Sequence, residues 1–279
     1  APMMQSRRIG ILGGMFDPIH SGHLDVGAAA QRMLDLTQVL VLPSNLPPHR
    51  PQPVASSHHR FAMAALAVAG RPGWRAVDLE LRGAERSYTS DTLRHFHASG
   101  YRPSDLFFIA GADAFLEIAT WKDYPALFDL AHFAVVARPG VPVAELPAQL
   151  PDLAGRMEMV RLEQAPSAHT STGPVLSEPL ILRRFDRLRV VPSPVEGRRA
   201  RDERESNGTL IFLIDAATAD VSSTAIRQAR HEHRSIAGLV PPSVEQHIEQ
   251  HDLYETPTPA ADSSTGSRGA KAGRLHGQD

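Results

Sequence analysis

Two kinds of apolar segment alternate along the first half of the chain. Short, nearly continuous apolar runs at 8–12, 38–42, 75–81, 106–110 and 132–137 read as strands, and "TLIFLI" at 209–214 adds another. Runs such as "VLVL" and "LFFIAG" lack polar alternation, the pattern of strands buried on both faces. Between them, apolar positions recur at helical spacing over roughly 22–35, 58–70, 89–99 and 113–130, then at about 222–232 and, after the Pro241–Pro242 break, 241–250. Strand and helix alternating in this order predict an α/β fold, a doubly wound parallel sheet with helices on both faces.

Two stretches depart from that rhythm. From Val141 to Asn207 the chain is rich in proline and carries "SAHTSTGP" and the mixed-charge run "RRARDERES"; only "LILRRFDRLRVV" has strand-like content. So few periodic apolar positions bury too little to offset the entropy of ordering, so 141–207 is expected to be a low-order insertion within one domain, 1–254. The last residues, 255–279, include "TPTPAADSSTGSRGAKAGRLHGQD" and are expected to form a disordered tail.

Composition narrows the classes. Hydrophobic residues make up 42%, ample for a core, and the formal net charge of −2 offers no basic field for nucleic acid. The absence of cysteine excludes disulfides, thiolate metal sites and a cysteine nucleophile, and fits a cytoplasmic location. The first apolar run, Ile9–Leu12, stops at Gly13. It is too short for a signal-peptide core or a membrane span, and no later run reaches membrane length.

The candidate chemistry begins where that run stops. Gly13 and Gly14 end the first strand, and a helix pattern starts just beyond His20 and His23. Glycines at a strand end followed by a helix N-terminus suit a phosphate. The spacing is neither G-x-G-x-x-G nor the P-loop. Both imidazoles can donate to phosphate oxygens, and an imidazole can carry charge near neutral pH. A zinc site would need a third ligand that this stretch does not supply. The plainer alternative is a pair of capping or surface histidines.

The full stretch "GGMFDPIHSGH" (13–23) matches G-G-x-F-D-P-x-H-x-G-H, and "VSSTAIR" (221–227) resembles I-S-S-T-x-I-R with Val221 in place of isoleucine. These are the two signatures of the H-x-G-H nucleotidyltransferases. "PSNLPPHRP" (43–51), "SYTSDTL" (87–93), "FIAGADAF" (108–115), "TWKDYPAL" (120–127) and "ARPG" (137–140) further resemble bacterial nicotinate-nucleotide adenylyltransferases, over about 8–140 and 208–254.

That resemblance implies a Rossmann-like nucleotidyltransferase fold and a role in NAD biosynthesis. ATP and nicotinate mononucleotide would be the partners, giving nicotinate adenine dinucleotide and pyrophosphate, with Mg²⁺ held mainly by ATP phosphates and water. It assigns Gly13, Gly14, Phe16, His20, His23, Gly111, Asp113, Ser222, Ser223, Thr224 and Arg227 to ATP, with His20, His23 and Arg227 catalytic. It assigns Asn45, His49, Arg50, Thr89, Trp121 and Arg138 to the acceptor. Plainer readings stand beside several of these. Thr89 and Asp113 could be helix caps, Trp121 a core residue, Arg138 a surface arginine, and "PPHR" a rigid turn.

A phosphate acceptor is already a nucleophile at pH 7, so no general base is needed; positioning and charge neutralisation remain. The nicotinate form is expected to be preferred over the nicotinamide form, with Asp123, close in sequence, weakening that expectation. Alternatives are an adenylyltransferase for nicotinamide mononucleotide or phosphopantetheine, and, in a different class, a non-catalytic nucleotide sensor. A class I aminoacyl-tRNA synthetase is disfavoured by the lack of a K-M-S-K-S loop. The sequence leaves monomer and homo-oligomer equally open.

Overall fold

The structure, a computed structural model, describes residues 7–45, 52–83, 86–160 and 208–255. Seven strands, β1 (Ile9–Gly14), β2 (Gln38–Pro43), β3 (Trp74–Ala76), β4 (Leu106–Gly111), β5 (His132–Val136), β6 (Met157–Val160) and β7 (Ile211–Ile214), form one sheet. Their order is β3-β2-β1-β4-β5-β7-β6, and every pairing is parallel. Ile9 sits opposite Gln38 on one side and Leu106 on the other. The chain therefore winds outward from β1 to β3, then returns to β4 and winds the other way. The crevice at the carboxyl ends of β1 and β4 is the switch point where such sheets bind ligands.

The continuous apolar runs are explained by two covered faces. Val39 and Val41 pack on one side, with helices α1 (Ser21–Met33), α2 (Ser57–Val68), α6 (Ser223–His231) and α7 (Pro242–Gln250). Leu40 and Leu42 pack on the other, with α3 (Thr89–Ala98) and the short helices α4 (Ala112–Phe115) and α5 (Leu146–Gln149). Both faces of a strand are thus apolar, and period two disappears from the sequence. No helix among the described residues is long and apolar enough to cross a membrane.

Three sequence expectations are corrected. The strand expected at 75–81 ends at Ala76, and Leu79–Leu81 is a 3-10 turn. The helix expected over 113–130 stops at Phe115 and gives way to 3-10 turns at Ile118–Thr120 and Ala126–Asp129. Between them Asp123 takes φ 66° and Pro125 offers no N–H, so an α-helix cannot run through. Finally, 141–160 is not low-order. Val143, Leu146, Leu153, Met157 and Val160 are all at most 5% exposed, and β6 pairs with β7 through Met157 and Ile211. The rest of the expected insertion, 161–207, and the tail from 256 lie outside the described residues.

Candidate active site

A cleft of about 640 Å³ opens at the β1/β4 switch point. Gly13 and Gly14 form its floor at the end of β1, and Gly111 at the end of β4. α1 begins directly after His20, which is the residue before its first turn. The rings of His20 and His23 stack at 3.7 Å between centroids. His23 Nδ1 accepts from the His20 backbone N–H at 3.3 Å. A neutral His23 therefore carries its proton on Nε2, leaving that atom a donor. His20 is 3% exposed, and its Nδ1 is buried with no hydrogen-bond partner.

This environment disfavours charge. Burial, then the nearby Arg138, lowers the His20 pKa to about 4. Burial, His20 and Arg138 push His23 well below its ordinary value. The expectation of an imidazole charged near neutral pH is thus reversed for the free protein.

Gly22 shows how tightly the helix start is set. A Cβ there would lie 2.7 Å from Arg138 Nη1 and 3.1 Å from the Ala219 carbonyl. Arg138 reaches across to the loop before α6, donating to the carbonyls of Ala219 and Val221 at 3.2 and 3.1 Å. Asp25 of α1 accepts from the Ala219 N–H of the same loop. Arg138 is not a solvated surface residue. It lines the cleft while fastening that loop.

The second signature faces the first. Ser222 caps α6, accepting from the Ala225 N–H at 3.1 Å. The Ser223 hydroxyl donates to the Pro18 carbonyl at 2.9 Å. Arg227 donates to the Asp17 carbonyl at 2.7 Å and to the Thr224 hydroxyl at 3.2 Å. All four residues line the cleft with the α6 N-terminus, where unpaired N–H groups and the dipole favour an anion. Phe16 is 1% exposed and meets His23 edge-on at 5.0 Å, supporting that ring from behind.

The opposite end is built from α3 and the turns after α4. Thr89 is the first residue of α3, not its cap, which is Tyr88. Trp121 stands edge-on to Phe108 at 5.7 Å and lines the cleft, half-buried. Asp113 also lines the cleft, two residues into α4, and Gly111 is the cap there. Asn45 is absent from the cleft wall; its side chain donates to the Gly83 carbonyl at 2.7 Å. His49 and Arg50 lie outside the described residues.

Several residues that complete the site had no signal in local sequence. Asp17, 2% exposed, accepts from the N–H groups of Val54 and Ala55 and from the Tyr254 hydroxyl at 2.7, 3.1 and 2.8 Å. Burial and Asp17 push the Tyr254 hydroxyl pKa up. Arg60, 1% exposed, donates to the carbonyls of Met15 and Ser44 at 2.7 and 2.6 Å, tying the loops after β1 and β2 together. The lone clue to Asp17 was its place in the quoted F-D-P.

This arrangement matches known proteins. A cytidylyltransferase-like family model covers residues 11–229. A "Probable nicotinate-nucleotide adenylyltransferase" of Desulfatibacillum aliphaticivorans is 38% identical over 249 residues, 88% of this chain and 99% of that protein. The chain belongs to the nicotinate-nucleotide adenylyltransferases. Another protein of that family and name, from Cronobacter sakazakii (strain ATCC BAA-894), is 37% identical over 242 residues, 87% of this chain and 93% of its own. Among solved structures, a Plasmodium falciparum nicotinic acid mononucleotide adenylyltransferase complexed with NaAD aligns with TM-score 0.58 at 16% identity. The alignment covers 89% of this chain and 97% of that one. At that identity the likeness speaks for the family fold alone.

Proposed function

We infer that this protein transfers the adenylyl group of ATP to nicotinate mononucleotide, releasing pyrophosphate and forming nicotinate adenine dinucleotide, a step of NAD biosynthesis. The observation that carries this reading is the stacked His20–His23 pair, with a buried unpartnered Nδ1, set beside Gly13–Gly14 and facing the α6 N-terminus. An unsatisfied buried imidazole nitrogen needs a partner, and a phosphate oxygen supplies one.

The α-phosphate sits against His20 and His23. The β- and γ-phosphates sit at the α6 N-terminus, with the Thr224 hydroxyl and Arg227. Because the hydroxyls of Ser222 and Ser223 are already engaged, those residues contribute chiefly backbone N–H groups. The acceptor phosphate attacks the α-phosphorus in line, with no covalent intermediate. Charge that develops on the α-phosphoryl oxygens is met by the two imidazoles.

Among the described residues the one cluster of three or more potential ligand side chains is made of histidines from α2 and from α7 with the residue after it, not cleft carboxylates. Asp17 is fully engaged. A Mg²⁺ carried by the triphosphate and water fits this donor set, and it neutralises phosphate charge when bound.

Acceptor choice rests on the α3 N-terminus. N–H groups near Tyr88 and Thr89 satisfy a carboxylate with charge-assisted bonds, whereas an amide NH₂ meets them donor to donor. Asp123 does not offset this: it pairs with Arg94 at 2.8 Å and is not on the cleft wall. Glu80 is on the wall, but its Oε1 accepts from Thr92 at 2.7 Å. Trp121 supplies a face for the pyridine ring. Unpaired groups cost about 1–3 kcal/mol, roughly 5–150-fold in kcat/KM.

The test is an ATP-dependent assay over nicotinate mononucleotide, nicotinamide mononucleotide and phosphopantetheine, with products identified by mass. Highest kcat/KM for the nicotinate form is expected. Equal use of the amide refutes the acceptor assignment, and absence of pyrophosphate with every acceptor refutes the enzyme reading.

A further inference from the structure

Away from the cleft, where α2 packs on α7, three histidines converge. His59 lies near the start of α2; His247 and His251 are on and just after α7, four residues apart and so on one face. One ring nitrogen from each lies within 4.8 Å of the other two. The His59 Nδ1 and His247 Nε2 atoms are 3.1 Å apart. Ring centroids are separated by 5.3, 4.8 and 4.5 Å, so the three rings enclose one point instead of forming a row.

Zinc bonds to imidazole of about 2.0–2.1 Å in a tetrahedron place ligand nitrogens about 3.3 Å apart. One pair is already at that spacing, and side-chain rotation brings in the third. His59 and His247 are half-buried and His251 is exposed, which leaves a fourth position toward solvent.

We propose that His59, His247 and His251 form a site, separate from the cleft, that binds one Zn²⁺ or a similar first-row divalent cation through three imidazoles and a water. The donor set selects the metal class. Three neutral nitrogens without a carboxylate suit Zn²⁺, Co²⁺, Ni²⁺ or Cu²⁺ and not Mg²⁺ or Ca²⁺. Burial, then His251 and His58, lower the pKa of His59, and burial, then His251 and His59, lower that of His247; both shifts favour the neutral form that ligands need.

The site joins two anchors of the cleft. His59 precedes Arg60, which ties the loops after β1 and β2. His251 lies three residues before Tyr254, which holds Asp17. A cation there staples the C-terminal helix to α2 at the point from which both anchors extend.

The test uses the untagged full chain, stripped of metal by dialysis against chelator and then freed of chelator. Calorimetric titration with Zn²⁺ alone, with Mg²⁺ present as a competitor, is expected to give one high-affinity site per chain. Loss of even an outer partner of a ligand typically costs 10–100-fold in affinity, so His251→Ala, at an exposed position, is expected to weaken binding at least about 100-fold. His247→Ala should do the same. Zn²⁺ at about 100 times its Kd should raise the melting temperature of the wild-type chain by roughly 5–10 °C and leave that of His251→Ala unchanged. Binding to wild type below one Zn²⁺ per chain overturns the proposal. So does His251→Ala binding within twofold of wild type, which would assign the metal to other histidines.

Discussion

Binding of ATP to this cleft should draw a proton from solvent. In the free protein His20 has a pKa of about 4, so at neutral pH the pair is uncharged. A phosphate oxygen in hydrogen-bond contact places opposite charges about 4 Å apart, worth about 4 kcal/mol at an effective dielectric near 20. With about 1.36 kcal/mol per tenfold change in acidity, that contact is large enough to raise the His20 pKa toward neutrality. The two rings are stacked at 3.7 Å, so one proton serves the pair and cannot be doubled cheaply. The sign follows directly. The bound state holds more protons than the free state between the free and bound values, so ATP affinity falls as pH rises through the bound value. Uptake is therefore larger at pH 6 than at pH 8 and does not exceed one proton per site. The measurement is calorimetry with a non-hydrolysable ATP analogue in buffers of different ionisation enthalpy, for wild type and His20→Asn. The difference between the two isolates the pair from protons exchanged by the nucleotide itself. Equal uptake by both proteins at pH 6 would show that the imidazoles stay neutral against phosphate, and the electrostatic account would fail.

Two further outcomes follow from the same geometry. His20→Ala should lower kcat by roughly 10²–10³ with a much smaller change in KM for ATP, as for loss of one transition-state donor; steady-state kinetics giving a near-normal kcat would remove His20 from the chemistry. Tyr254→Phe deletes one of three hydrogen bonds to the buried Asp17 carboxylate, at about 1.5–3 kcal/mol for a bond to a charged group; a fall in melting temperature of roughly 3–12 °C is expected, and an unchanged value would show that the strap is not formed.

Most of the sheet was readable because its strands are central and covered on both faces. Val39 to Leu42 announce themselves as an unbroken apolar run since two cores need them. β6 was missed because it is a four-residue edge strand containing Glu158, and its partner β7 follows only after some fifty intervening residues. The supposed helix at 113–130 carried enough apolar positions for helical period. Those positions are spent in consecutive tight turns around Asp123 and Pro125, which a periodicity count does not separate from a helix.

The cleft was legible where a motif compresses its chemistry into neighbours, as in 13–23 and 221–227. It was illegible where a contact joins distant residues. Asp17 to Tyr254, Arg60 to the Met15 carbonyl, and His59 to His247 leave no local pattern, since the partners in each pair lie 45 or more residues apart. The contacts of Arg138 were hidden for the same reason: its guanidinium donates to carbonyls more than 80 residues away.

The Asp17–Tyr254 bond spans 237 residues, and this gives the cleft a birth order. On the ribosome, at about 5–20 residues per second, roughly 12–50 s separate synthesis of the first motif from synthesis of the hydroxyl that satisfies it. Throughout that interval the nascent chain carries His20 and His23 without the Tyr254 hydroxyl that holds Asp17 and, for most of it, without the facing α6 terminus. The buried Asp17 carboxylate therefore gains its third hydrogen bond only after both motifs of the cleft have been made.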